Sequence, residues 1–226
     1  MTDSSNGATW VLSSKIEGTF AKVRDLQEFI QQYVLAANKL PVSVEDIQWA
    51  IESKYGLKIE KRLVDFEARH IRGMMERYQD GTAKVYVRRA QTPDPEQNIF
   101  WQRFISVKEM IHLAIDEPED FSPRGTETIE ELIRDHSFEA MKPAREEIQS
   151  EVLAELAAFE LLYPMEFRLA DTDAVTSYSV LAVQYAVPDY VIERCLSSGY
   201  MKVARATWNE VGGHGLPGIG GNPAAE

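Results

Sequence analysis

One short segment carries residues at the spacing of a metal-binding helix, namely Lys108, Glu109 and His112. In the H-E-x-x-H motif of zinc proteases, two histidines at i and i+4 lie on one helix face and bind Zn²⁺. The glutamate after the first histidine acts as general base on a metal-bound water. Here Lys108 occupies the first histidine position. A protonated lysine has no lone pair for a metal, so the segment predicts either an incomplete zinc site or a site with other ligands.

A second segment, from Glu151 to Pro164, follows the pattern E-x-x-A-x-x-x-A-x-x-L-L-x-P. Together with R-F-x-x-x-K-E-x-x-H, which begins at Arg103, it resembles the ImmA/IrrE family of bacterial and phage metallopeptidases. The resemblance extends over about Ala36 to Tyr200. The sequence departs from the family pattern at Lys108, at Ile111, where a glycine is usual, and in a longer gap before Glu151.

The resemblance implies a zincin-like fold with zinc as the cofactor. It implies that Glu109 is the catalytic base and that His112 and Glu151 are metal ligands, with Lys108 at the degenerate position. Working members of the family cut repressor-type transcription factors. A protein partner or substrate of that kind, in bacterial or phage regulation, is therefore the expectation for this chain.

One hypothesis is that the zinc site is degenerate and the chain acts by binding a partner. Without a metal, the carboxylates of Glu109 and Glu151 would repel each other across the cleft. The ammonium of Lys108 would relieve this repulsion if it lay near the vacated metal position and replaced part of the cation's charge.

The alternative is an active metallo-endopeptidase with a rebuilt metal site that cleaves a transcriptional regulator. Asp116 lies four residues after His112 and hence on the same helix face. His136 lies in the long gap before Glu151 and would fold over the cleft. Oxygen-rich ligation by these side chains is chemically reasonable, so the sequence leaves enzymatic activity open.

The composition of the chain narrows the classes of function that it can have. The chain has 226 residues and a net charge of −12, which disfavours nonspecific binding to nucleic acid because such binding requires basic residues at the phosphates. The sequence contains no run of about 18 apolar residues, so no membrane-spanning helix is predicted. The first residues lack the pattern of a signal peptide. The single cysteine, Cys195, fits a reducing cytoplasm and a packing role, so a cytoplasmic protein is the expectation.

Apolar spacing and turn residues predict an α+β fold, in which a small antiparallel or mixed sheet packs on helices. Helices are predicted over about 16–37, from Ser43 to Gly56, over about 99–115, over 129–133 and from Pro143 to Pro164; a strand is predicted over 57–64, and a two-residue hairpin turn at Asp80-Gly81. The helix over 99–115 carries Lys108, Glu109 and His112.

Three regions are predicted along the chain: a zincin-like domain over 1–168, a C-terminal helical segment over 169–208 and a flexible tail over 209–226. The C-terminal segment contains helices over about 174–185 and 188–197 and resembles a helix-turn-helix. Its second helix carries more acidic than basic residues from Asp189 to Arg194. That charge would meet phosphates unfavourably, so core packing or docking of a partner protein is the prediction for this helix.

Overall fold

The computed structural model describes residues 13–33, 41–68, 70–116, 146–173 and 176–212. Within these ranges, eight helices and three strands form a mixed α+β fold, as predicted. The helices are α1 (Ser13–Tyr33), α2 (Val44–Tyr55), α3 (Pro95–Ile115), α4 (Glu146–Leu162), α5 (Met165–Asp173), α6 (Tyr178–Tyr185), α7 (Asp189–Leu196) and α8 (Ser198–Glu210). The strands are β1 (Lys58–Val64), β2 (Gly73–Arg77) and β3 (Thr82–Arg88). The predicted helix over 129–133 and most of the predicted tail lie outside the described residues.

Local signals fix the ends of the helices around the sheet. The Ser43 hydroxyl accepts a hydrogen bond from the Asp46 N–H, and Gly56 ends α2 in the left-handed region at φ 63°, so the predicted caps of this helix are confirmed. Helix α3 begins one turn before the predicted start. The Asp94 side chain accepts from the Gln97 N–H, and Pro95 opens the first turn, where its missing N–H costs no hydrogen bond.

The sheet is mixed and has the order β1-β3-β2. Strand β1 runs parallel to β3, and β2 runs antiparallel to it. Residues 78–81 connect β2 to β3, and Tyr78 pairs with Thr82, so the hairpin loop comprises residues 79–81 and the predicted two-residue turn at Asp80-Gly81 is wrong. The Tyr78 N–H donates to the Thr82 carbonyl at 2.9 Å, and the Gly81 N–H donates to the Tyr78 carbonyl. Gly81 adopts φ 83°, which is typical of a three-residue hairpin with a glycine bulge.

Helix α3 lies at the centre of the described structure. Alternate residues of β3, Ala83, Val85 and Val87, are buried, and both β2 and β3 contact α3. Helix α4 also packs against α3. One hydrophobic cluster includes residues from Phe20 in α1 to Trp208 in α8, so the core continues across the predicted domain boundary at residue 168.

The C-terminal helices pack on this core. Helices α6 and α7 correspond to the two predicted helices, whereas α5 and α8 were not predicted as separate helices. Helix α7 buries Val191, Ile192 and Cys195, which agrees with the predicted packing role. Burial raises the pKa of the Cys195 thiol, so this side chain is a poor nucleophile. Of the helices described, none is sufficiently long and apolar to cross a bilayer.

Candidate functional site

Three polar side chains of α3 form a cluster at the contact between α3 and α4. Glu109 and His112 are buried although both are ionisable, and the Lys108 side chain is 13% exposed. Groups of this kind are buried only when they have partners. The partners come from the same helix and from the start of α4, where Ser150 and Glu151 lie.

The Lys108 ammonium lies between two carboxylates. Its Nζ is 2.6 Å from Oε2 of Glu151 and 3.0 Å from Oε1 of Glu109. His112 joins the same group, since its Nε2 is 3.4 Å from Oε1 of Glu151. The predicted convergence of Glu109, His112 and Glu151 is therefore confirmed, whereas their roles in catalysis and metal binding stay predictions.

The other ring nitrogen of His112, Nδ1, contacts two side chains that are hydrogen-bonded to each other. Nδ1 lies 2.8 Å from Oδ2 of Asp116 and 3.1 Å from Oγ of Ser150. The Ser150 hydroxyl donates to Oδ1 of Asp116 at 2.7 Å. Asp116 thus orients the ring from the side opposite Glu151, a role that partners of metal-binding histidines commonly have. Ser150 was not predicted, because a serine next to Glu151 carries no pattern of its own.

The proximity of Ser150, His112 and Asp116 does not make a nucleophilic triad. In a triad, the serine and the acid contact opposite ring nitrogens, so that one nitrogen can accept the hydroxyl proton. Here both side chains contact Nδ1, and the Ser150 hydroxyl donates to Asp116. The arrangement orients the ring and leaves the hydroxyl without a base.

The charges in the cluster determine its protonation states. Burial lowers the pKa of Lys108, but the charges of Glu109 and Glu151 outweigh burial and raise the pKa above its usual value. Burial raises the pKa of Glu151, and the close contact with His112 and the charge of Lys108 reverse this and hold the pKa well below its usual range. Burial also lowers the pKa of His112, yet the hydrogen bond to Asp116 and the close contact with Glu151 raise it to about 9. At neutral pH the cluster therefore contains Lys108 and His112 as cations beside ionised Glu151.

The residues present do not fit a tetrahedral zinc site. Zinc requires three protein ligands with lone pairs, plus water, at a catalytic site, and the structure offers His112 and Glu151 beside a lysine ammonium. In the part of the chain that the structure describes, no group of three or more His, Cys, Asp or Glu side chains is arranged to hold a metal ion. The possible substitute ligand His136 lies outside the described residues.

Gly73, the first residue of β2, determines how closely the sheet packs against α3. A Cβ at this position would overlap Cγ2 of Ile105 and would lie 2.8 Å from both Cγ and Oε1 of Glu109. Only a residue without a side chain lets β2 lie directly on the part of α3 that carries Glu109. No sequence pattern indicates this role, since a glycine at a strand end is ordinary.

We expect Gly73→Ala to lower the free energy of unfolding by about 1–3 kcal/mol, because the added methyl group overpacks a buried contact. Urea unfolding would measure the change. Gly199→Ala is the matched control, since a Cβ there meets nothing within 4 Å, and it should be neutral or slightly stabilising. Equal stability of the Gly73→Ala variant and the wild type would show that β2 can move away from Glu109 without cost.

Comparisons with known proteins leave the family open. No protein-family model matches this chain, and no curated protein matches it. The resemblance to the ImmA/IrrE family therefore stays a prediction that rests on the two sequence segments.

Proposed function

We propose that this chain is a diverged ImmA/IrrE-type protein in which the Lys108 ammonium replaces the metal charge, and that it acts by binding a partner protein. A repressor-type regulator is the kind of partner that the resemblance implies. The observation that carries the proposal is the position of Lys108 Nζ, within hydrogen-bonding distance of both Glu109 and Glu151.

The electrostatics of the cluster support a site that functions without hydrolysis. Zinc hydrolysis needs a metal-bound water, whose pKa the metal lowers, and a free carboxylate that takes its proton. Here the Glu109 carboxylate is paired with Lys108. The ammonium supplies a positive charge, but it provides no open coordination position. The cluster is thus suited to holding α3 and α4 together, as a binding protein needs, rather than to hydrolysis.

Zinc binding by the wild type and by Lys108→His tests the proposal. The wild type should bind zinc weakly in calorimetric titration and should contain little metal when purified without chelator. Lys108→His should raise zinc affinity by at least about ten-fold, because a ligand is restored and even residues that only hydrogen-bond to a metal ligand change affinity by about 10- to 100-fold. Asp116 and Ser150 already orient the ring of His112 for this purpose.

Lys202→His is the matched control, because Lys202 is exposed on α8, away from α3 in sequence. It should leave zinc affinity unchanged. Tight, stoichiometric zinc in the wild type would overturn the proposal and would favour the active endopeptidase with a rebuilt site that uses Asp116 or His136.

A further inference from the structure

Strand β1 lies at an edge of the sheet, since within the described residues its only strand neighbour is β3. The Lys58 N–H donates to the Gly81 carbonyl, and the Val64 carbonyl accepts from the Arg89 N–H, so the even-numbered residues of β1 face β3. Backbone groups alternate in direction along a parallel strand. The groups that point away from β3 therefore belong to Ile59, Lys61 and Leu63. An open row of such groups is a template on which another extended chain can pair.

Two side chains of α2 occupy the outward backbone groups of Ile59. Oε1 of Glu52 accepts a hydrogen bond from the Ile59 N–H at 2.7 Å, and Nε2 of Gln48 donates to the Ile59 carbonyl at 2.9 Å. The Gln48 amide also donates to Oε1 of Glu52 at 3.1 Å, which joins the two side chains. They are four residues apart and so lie on one face of α2. Together they offer one acceptor and one donor, as a residue of a neighbouring strand would.

The rest of the outer edge of β1 has less cover. The Leu63 carbonyl accepts from Nη2 of Arg89 at 3.1 Å, but the Arg89 side chain is 60% exposed. The Lys61 ammonium is 3.5 Å from Oε1 of Glu45, and this exposed contact leaves the Lys61 backbone open. Ile59 is thus the position on this edge at which both an N–H and a carbonyl are satisfied by side chains.

We infer that Gln48 and Glu52 take the place of a further strand and keep β1 from pairing with β1 of a second copy of the chain. Identical edges can pair about a two-fold axis. In an antiparallel pair centred on Lys61, Glu60 of each copy would lie opposite Arg62 of the other, which gives two attractive cross-strand pairs against one repulsion between lysines. This role of α2 goes beyond the proposed function and does not depend on Lys108.

Sedimentation velocity of the full chain over a range of protein concentrations tests this inference. Gln48→Ala combined with Glu52→Ala should shift the weight-average mass toward about twice that of the wild type as the concentration rises, with folding checked by circular dichroism. At low concentration the Ile59 amide should exchange at least about ten-fold faster than in the wild type, the factor for loss of a hydrogen bond to a charged group. Glu28→Ala combined with Gln32→Ala is the matched control, because these exposed residues are also four apart on a helix, and it should behave like the wild type.

Addition of Lys61→Pro to the double variant identifies the surface that associates. Proline removes the outward N–H of residue 61 and no hydrogen bond to β3, so the monomer should be restored. A folded double variant that stays monomeric at every concentration, or association that persists with Lys61→Pro, would overturn the inference. Gln48→Ala alone frees only the Ile59 carbonyl and should associate more weakly in the same direction. If the double variant does not fold, a monomeric Gln48→Ala variant would overturn the inference.

Discussion

Lys108→Met should lower the free energy of unfolding by about 3–5 kcal/mol near neutral pH, the range for removing one partner of a buried charge arrangement. Methionine keeps most of the aliphatic stem and deletes the charge. The buried Glu109 carboxylate would then lose its ion pair with Lys108. Glu151 is 33% exposed and also contacts His112, so solvent and the imidazolium reduce its share of the penalty.

The difference in free energy of unfolding between Lys108→Met and the wild type should depend on pH, and the pKa shifts give its direction. The pKa of Glu151 is depressed in the folded protein, so its stabilisation is present above the usual value of 4.5 and is lost as the pH falls below it. The pKa of Lys108 is raised, so its stabilisation is present below the usual value of 10.5 and is lost as the pH rises through the folded value. The free energy of unfolding of Lys108→Met should therefore differ most from that of the wild type between about pH 4.5 and 10.5. The two values should approach each other in acid.

Urea unfolding of the single variants and of the double variant with Glu151→Gln would measure the coupling between the two side chains. Adding Glu151→Gln should recover part of the loss, because it removes the repulsion between carboxylates. Lys202→Met, on the exposed side of α8, controls for loss of a lysine charge and should change stability by less than about 0.5 kcal/mol. If Lys108→Met unfolds like the wild type and shows no coupling, Lys108 is not a substitute for a metal.

Arg168→Met should also cost about 3–5 kcal/mol of unfolding free energy. Arg168 and Glu160 are fully buried and form an ion pair. Glu160 also accepts hydrogen bonds from the Tyr200 hydroxyl and the Trp208 indole N–H, each at 2.7 Å. Because Tyr200 and Trp208 belong to α8, this carboxylate connects α4 and α5 with the C-terminal helix. Removal of Arg168 leaves a buried carboxylate with only neutral donors.

Urea unfolding would measure the stability loss, and hydrogen exchange of the α8 amides would show whether the helix detaches. Adding Glu160→Gln to Arg168→Met should restore much of the stability, because no buried charge then remains unpaired. Arg205→Met, an exposed position on α8, is the control and should be close to neutral. Wild-type stability of Arg168→Met would mean that the α8 contacts do not depend on this ion pair.

Local patterns were sufficient to predict most of the elements that carry the site. The caps of α2, strand β1, the β2–β3 hairpin and helix α3 follow from residues within a few positions of each other, and such short-range signals act in the chain before it folds. The length of the hairpin loop was not predicted correctly. Asp80-Gly81 fits both a two-residue and a three-residue loop, and the pairing of Tyr78 with Thr82 across the strands decides between them.

The sequence by itself determined that a lysine stands at the first position of an H-E-x-x-H-like segment, and the family resemblance predicted that Glu109, His112 and Glu151 lie together. Only the tertiary structure decided that the Lys108 ammonium reaches both carboxylates, that Ser150 and Asp116 hold the His112 ring, and that Gly73 admits β2. These contacts, like the pairing of Glu160 with Arg168, depend on how α3 and α4 pack, and α4 has buried residues on several faces. Helical periodicity identifies which residues share a face, but the atoms opposite that face come from distant parts of the chain and are set by packing.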